Sequence, residues 1–272
     1  MKSKYLYRLG AAALVALTAM AMMASLAQAA TPAPGYERFA GCPSKAENPS
    51  IAICLRSVIT GGHFQMGSKD VPISKPMTLT GGFNESLQGF AATSAGGLTP
   101  VKQLVPGGVI GLTGLDWLVN FLSLEGLKLY AVTELVGPPE IGETLHLPIR
   151  VHLINPVLGN NCYVGTASNP INLNLTEGTT SPPPPNVPIT GKQAEVGFDE
   201  ATGVLTLMNS EAVDNSFAAP GASGCVLTLF GFIPISINGL VNSQSGLPAP
   251  AGTNETRQKM DMEMTAVERV YP

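Results

Sequence analysis

Charge is scarce in this chain. Lys, Arg, Asp and Glu make up 12% of its 272 residues, about half the share of an ordinary globular domain, and there are only three histidines and one tryptophan. So few ions argue against a bundle of exposed amphipathic helices, whose outer faces need them. With 30 glycines and 23 prolines to bend the chain, the composition points to many turns and short strands. A basic surplus is absent as well: the formal net charge is −4, so neither nucleic acid nor an anionic membrane surface is an expected partner.

The motifs of common enzymes are missing. No Gly-x-Ser-x-Gly elbow occurs, and the serine-glycine clusters "ATSAGG" and "GASGC" lack the first glycine. No two cysteines stand two to four residues apart, which excludes the usual zinc spacing, and no metal or cofactor is expected. His146 and His152 share one face of a predicted strand, about 20 Å apart along it, too far to hold one ion together; His63 lies in "GGHFQMG". Asp116, Glu134, Glu140 and Glu143 are acids that only tertiary structure could pair. The expectation is a protein without catalysis.

What is present begins at the N-terminus. Lys2, Lys4 and Arg8 precede an apolar run from Leu9 to Leu26 and then Ala27-Gln28-Ala29. A basic start, an apolar middle and small residues at a cleavage site predict a secretory signal over residues 1–29. The mature chain then carries twelve basic residues against nineteen acidic ones, net −7. No later apolar run reaches the ~20 residues of a membrane helix: "VLTLFGFIPISINGLV", 226–241, is broken by Gly231, Pro234 and Gly239 and reads as strands and turns. The predicted location is the cell exterior, free or wall-associated, with no membrane span once the signal is cleaved.

Residues 30–41 form a Pro- and Gly-bearing lead-in expected to be partly mobile, and 42–272 a single domain. Alternation marks the strands. Leu145, Leu147, Ile149, Val151 and Leu153 share one face and His146, Arg150 and His152 the other; Pro148 suggests a sheet edge or a bulge. Leu127, Leu129, Ala131 and Leu135 oppose Lys128, Tyr130 and Glu134. Met260, Met262, Met264 and Ala266 alternate with Asp261, Glu263 and Thr265 in a predicted final strand. Shorter strands are expected at 57–60, 77–80, 171–175, 194–198, 204–208 and 226–230. The spacing of Leu112, Leu115, Leu118, Val119 and Leu122 predicts one short helix from about 114 to 124, with Thr113 as its cap and Gly126 at its end. "TEGTTSPPPPNVPITG", 176–191, with Pro182 to Pro185, reads as a stiff crossing between two sheets.

Cys42, Cys54, Cys162 and Cys225 are an even set in a chain marked for export and are read as two disulfides. Of three pairings, Cys42 with Cys54 and Cys162 with Cys225 is favoured: the first brackets a short excursion, and the second joins two turn-rich segments that each lead into a strand. Trp117 and Phe121, side by side on the predicted helix, are candidates for an apolar binding surface, or else plug the open end of a sandwich. Sequons at Asn84, Asn174 and Asn254 mark expected surface loops.

Three stretches, "CLRSVITGGHFQMGSKDVPISKPMTLTGGF" (54–83), "NPVLGNNCYVGTASNPINLNLTEGTTSPPPPN" (155–186) and "VDNSFAAPGASGC" (213–225), resemble secreted proteins of actinomycete bacteria that have no established activity. The resemblance implies an envelope or extracellular protein and assigns no catalytic residue. The expected fold is all-β, a two-sheet β-sandwich with one short helix and two disulfides. The expected function is non-catalytic structure or binding at the cell exterior, with a cell-envelope protein or polymer as partner. Carriage of an apolar small molecule or lipid is the first alternative, and a hydrolase with a dispersed site is the second.

Overall fold

Alternating apolar and polar residues organise the chain into two antiparallel sheets. The computed structural model describes residues 30–272 apart from Phe121, Phe230 and Gly231; the predicted signal 1–29 lies outside the described residues. In chain order the elements are β1 (Ile53–Met66), β2 (Lys69–Pro72), β3 (Met77–Phe83), β4 (Gly97–Leu98), β5 (Gln103–Leu104), α1 (Gly108–Thr113), β6 (Tyr130–Leu135), β7 (Glu140–Ile141), β8 (Leu145–Ile154), β9 (Tyr163–Val164), β10 (Ile171–Leu175), β11 (Glu195–Asp199), β12 (Val204–Asp214), β13 (Ala222–Ser223), β14 (Val226–Leu229), β15 (Ile233–Ser236), α2 (Asn238–Ser245), β16 (Glu255–Ala266) and α3 (Val267–Val270). The first sheet runs β11-β12-β16-β1-β3-β4, with β2 also on β1; the second runs β13-β9-β8-β6-β5, with β7 and β10 also on β8. β14 and β15 make a separate hairpin. The two large sheets face one another as a sandwich.

β8 realises its alternation in full: Leu147, Ile149, Val151 and Leu153 are buried while the residues between them are half-buried. Each such side chain removed from water contributes about 1.5–3 kcal/mol. Pro148, expected at an edge or bulge, sits instead in a central strand. It is tolerated because β6 ends opposite Ile149 and β7 begins opposite His146, so the side of β8 where its missing N–H would point is a gap in the ladder. Gly137 fills that gap; a Cβ there would come within 2.9 Å of the Pro148 ring.

β1 and β12 are longer than the runs predicted for them because each contains a bulge. The register of β1 on β16 shifts between Ile59 and Gly61, and that of β12 shifts between Leu207 and Ser210. One extra residue reverses the parity of a strand. Inward residues of β1 therefore change from Ser57 and Ile59 to Phe64 and Met66, all of which line the space between the sheets. Asn209 takes the left-handed conformation at the second bulge (φ 58°), which asparagine tolerates, and its N–H donates to Asp261 Oδ1 at 2.8 Å.

Helical content is placed differently from the prediction. Three short α-helices occur among the described residues. The predicted helix 114–124 is replaced by α1 and a 3-10 turn over Asp116–Asn120. Gly114, left-handed at φ 69°, ends α1, so Thr113 closes a helix instead of opening one, and its hydroxyl donates to the Val109 carbonyl. Leu118 and Leu112 are still buried. α2, "NGLVNSQS", is poor in strong helix formers and buries only Val241 and Ser245, which is why it reads as turn.

Both disulfides pair as expected, Cys42 with Cys54 and Cys162 with Cys225. The first lies in a second, smaller core on the outer side of the first sheet with Phe39, Ile51, Val204, Val267 and Val270. The lead-in is accordingly docked and not loose: Phe39 is fully buried and the Ala33 N–H donates to the Val270 carbonyl. Tyr271 completes this corner by donating its hydroxyl to the Cys42 carbonyl at 2.8 Å. Burial, and then the nearby Glu47, raises its phenol above the ordinary value. The unfolded chain ionises first as pH rises past about 10, so the stabilisation is complete below that pH and is lost above it. Urea midpoints measured from about pH 9 to 11 should fall with pH in the native protein and fall less in Tyr271→Phe.

The proline segment does connect the sheets, leaving β10 of the second and entering β11 of the first. Its ends pair through Thr179 and Thr190, and Asn186 holds its tip by donating from Nδ2 to the carbonyls of Asn215 and Asn254. Asn254 itself is no surface residue. It is 1% exposed, its Nδ2 is shared among the carbonyls of Phe217, Ala249 and Pro250, and its Oδ1 accepts from the Gly67 N–H. Asn254→Ala should cost about 3 kcal/mol in urea denaturation, and peptide mapping from a glycosylating host should find this sequon unmodified.

Candidate functional site: a hollow between the sheets

The inward faces do not fill the space they enclose. A hollow of about 60 Å³ is bounded by Ile59, Met77 and Met260 of the first sheet and Leu147, Ile149 and Leu173 of the second. A smaller one of about 30 Å³ adjoins it, reaching Leu112 of α1, Ser245 at the end of α2, Leu247 and Lys69. Met66, Val71, Ala131 and Val151 wall both.

Two polar atoms in these walls have no partner. Three buried side-chain N or O atoms are unpaired among the described residues, and two of them belong to Gln258 and Ser245. Gln258, 4% exposed, lines the larger hollow. The Thr256 hydroxyl spends its single proton on the His63 carbonyl at 2.9 Å, so at 3.4 Å it can only accept from Gln258 Nε2. That fixes Oε1 as the open end of the amide. Ser245, 2% exposed, lines the smaller hollow with its Oγ unpaired. A buried polar atom left unpaired costs about 1–3 kcal/mol, and native proteins hold few of them.

The tip of the β1–β2 hairpin docks on the end of α2 beside the smaller hollow. Ser68 donates from N to the Ser245 carbonyl at 2.9 Å and from Oγ to the Gln244 carbonyl at 3.1 Å. Gly67 makes this approach possible, since a Cβ there would meet the Ser245 carbonyl oxygen at 2.2 Å. Beside it Lys69, half-buried, donates from Nζ to the Gly111 carbonyl at 2.7 Å.

Of the predicted site residues, the four cysteines are all in disulfides. Phe121 and the Trp117 side chain lie outside the described residues. Their neighbour Leu118 is buried in the main core, and Leu112 reaches the smaller hollow. The three histidines are separate: His63 contacts Asp70 at 2.8 Å, His146 contacts Asn174 at 3.0 Å, and His152 contacts the Asn160 carbonyl at 3.1 Å while stacking on Tyr163. None of these partners is a serine, threonine or cysteine. Glu134 binds Arg150 at 2.7 Å on the solvent side of the second sheet, and Arg150 lies over the Tyr163 ring. Among the described residues no group of three or more His, Cys, Asp or Glu is placed to hold a metal ion, and no helix is long and apolar enough to cross a membrane.

Lys69 and Ser245 carry no signal in the sequence that would single them out. Alternation identifies Met260 as inward, and Gln258, two residues earlier, shares its face; a glutamine in that phase was the one available hint. No family model, curated protein or solved structure matches the chain.

Proposed function

We propose that this is a non-catalytic binding protein of the cell exterior that carries a small apolar molecule between its sheets. The observation that carries the reading is the pair of adjoining apolar hollows with one unpaired buried polar atom in each. Ligand sites of this type have apolar walls and a few placed polar groups. Gln258 Oε1 is an acceptor for a hydroxyl or N–H of the occupant. The larger hollow, about 60 Å³, is less than half the ~150 Å³ of a cavity that takes benzene. Filling it therefore requires Met66, Met77 and Met260 to re-pack, which unbranched thioether side chains do at low cost. Two disulfides are compatible with an exterior location.

Attachment to another envelope component is a second reading, supported by β11. Among the described residues this edge strand pairs only with β12, and it exposes Val196 at 72% and Phe198 at 64%, a surface that a partner strand or polymer could cover. Incubating the protein with a cell-envelope extract, re-isolating it and analysing it by mass spectrometry separates the two. A co-purifying small apolar molecule supports carriage, a co-purifying protein or polymer supports attachment, and a chemically altered extract component would overturn both.

A further inference from the structure

Resting on the carrier reading, we infer that the smaller hollow is a head-group site for an anion, so that the ligand is an acidic amphiphile. Its carboxylate is held by Lys69 and Ser245 and its apolar tail lies in the larger hollow.

Charge supplies the first reason. Lys69 is half-buried at a wall otherwise formed by residues such as Val105, Leu112, Leu153 and Leu247. Among the described residues its ammonium has one partner, the Gly111 carbonyl, and no carboxylate. An ammonium carries three donors, and one in an apolar wall gains most from an anion that balances it. The acid next to it in sequence, Asp70, is engaged by His63.

Placement supplies the second. Ser245 Oγ, buried and unpaired, lines the same hollow as Lys69. A hydroxyl donor and an ammonium in one small space suit the two oxygens of a carboxylate. The tail would extend past Met66, Val71, Ala131 and Val151, which wall both hollows, into the larger one. The hairpin tip that carries Lys69 is also the clamp on Ser245, through Ser68, so the head group would join two elements already in contact.

Isothermal titration of the full chain with octanoate, octanol and octanamide at about pH 7 tests this. The expected result is octanoate binding at least tenfold more tightly than either neutral ligand. In Lys69→Met that advantage should fall to less than about threefold; Ser245→Ala should show a smaller loss of the same kind. Equal binding of octanoate and octanol, or undiminished octanoate binding in both variants, overturns the head-group site and leaves the carrier reading standing. Absence of binding by all three ligands overturns both. A cooperative urea transition serves as the control that each variant is folded, and the comparison of octanoate with octanamide on the native chain needs no variant.

Discussion

Replacing both members of the long-range disulfide, Cys162→Ser with Cys225→Ser, is expected to lower stability by roughly 4 kcal/mol. The bridge spans 63 residues, so it restricts the unfolded chain more than Cys42–Cys54, which spans 12 and should contribute roughly 3. Its place matters as much as its length. The Cys162 carbonyl accepts from the Leu153 N–H at the end of β8. The Cys225 N–H donates to Asn238 Oδ1 and its carbonyl accepts from the Ile237 N–H, so it holds the start of α2. Breaking the bridge frees the segment that leads to Ser245 and walls the smaller hollow. Urea denaturation should show the larger loss for this pair, and apolar-ligand affinity should fall with it. For the Cys42 pair, which belongs to the separate outer core, stability should fall without that loss of affinity.

The second large effect is expected at Ala131. Its side chain lines both hollows. Substituting a larger residue into a filled core costs about 1–3 kcal/mol. Ala131→Leu instead places its added carbons in existing space, and its stability should stay within about 1 kcal/mol of the native protein. Binding of an apolar ligand should fall at least tenfold, because the added atoms take space that Ala131 leaves open at both hollows. Paired denaturation and titration measurements check this. A loss of 3 kcal/mol or more would mean that the space at Ala131 is already filled.

Much of the architecture was legible from composition and alternation. The inward set of β8, the methionine strand β16, the disulfide pairing and the two-sheet class follow from period-two patterns, an even cysteine count and a charge-poor, turn-rich composition. What escaped is mostly tertiary in origin. The bulges after Ile59 and Leu207 reverse parity within a strand, so no single phase describes β1 or β12. Pro148 looked like an edge marker because a sequence cannot show that the neighbouring strand is interrupted beside it. Asn254 looked like a glycan acceptor because a sequon carries no burial, and its four partners come from Gly67, Phe217, Ala249 and Pro250.

The candidate site was less legible still. The 111–126 segment that carries the candidate aromatics also carries Leu112, which reaches the smaller hollow. The groups that give the hollow chemistry, Lys69, Ser245 and Gln258, sit on three elements far apart in sequence. An unpaired atom is a property of its surroundings, and only the packed chain reveals it.

Xenon is the most direct probe of the central claim, because it enters dry apolar cavities without needing a head group. Crystals of the protein equilibrated under xenon should show the gas between the sheets, bounded by Ile149, Met260 and Ala131, and Ala131→Leu crystals should show less. A space filled by ordered water, or one that admits no xenon at any pressure the crystals tolerate, would contradict the account.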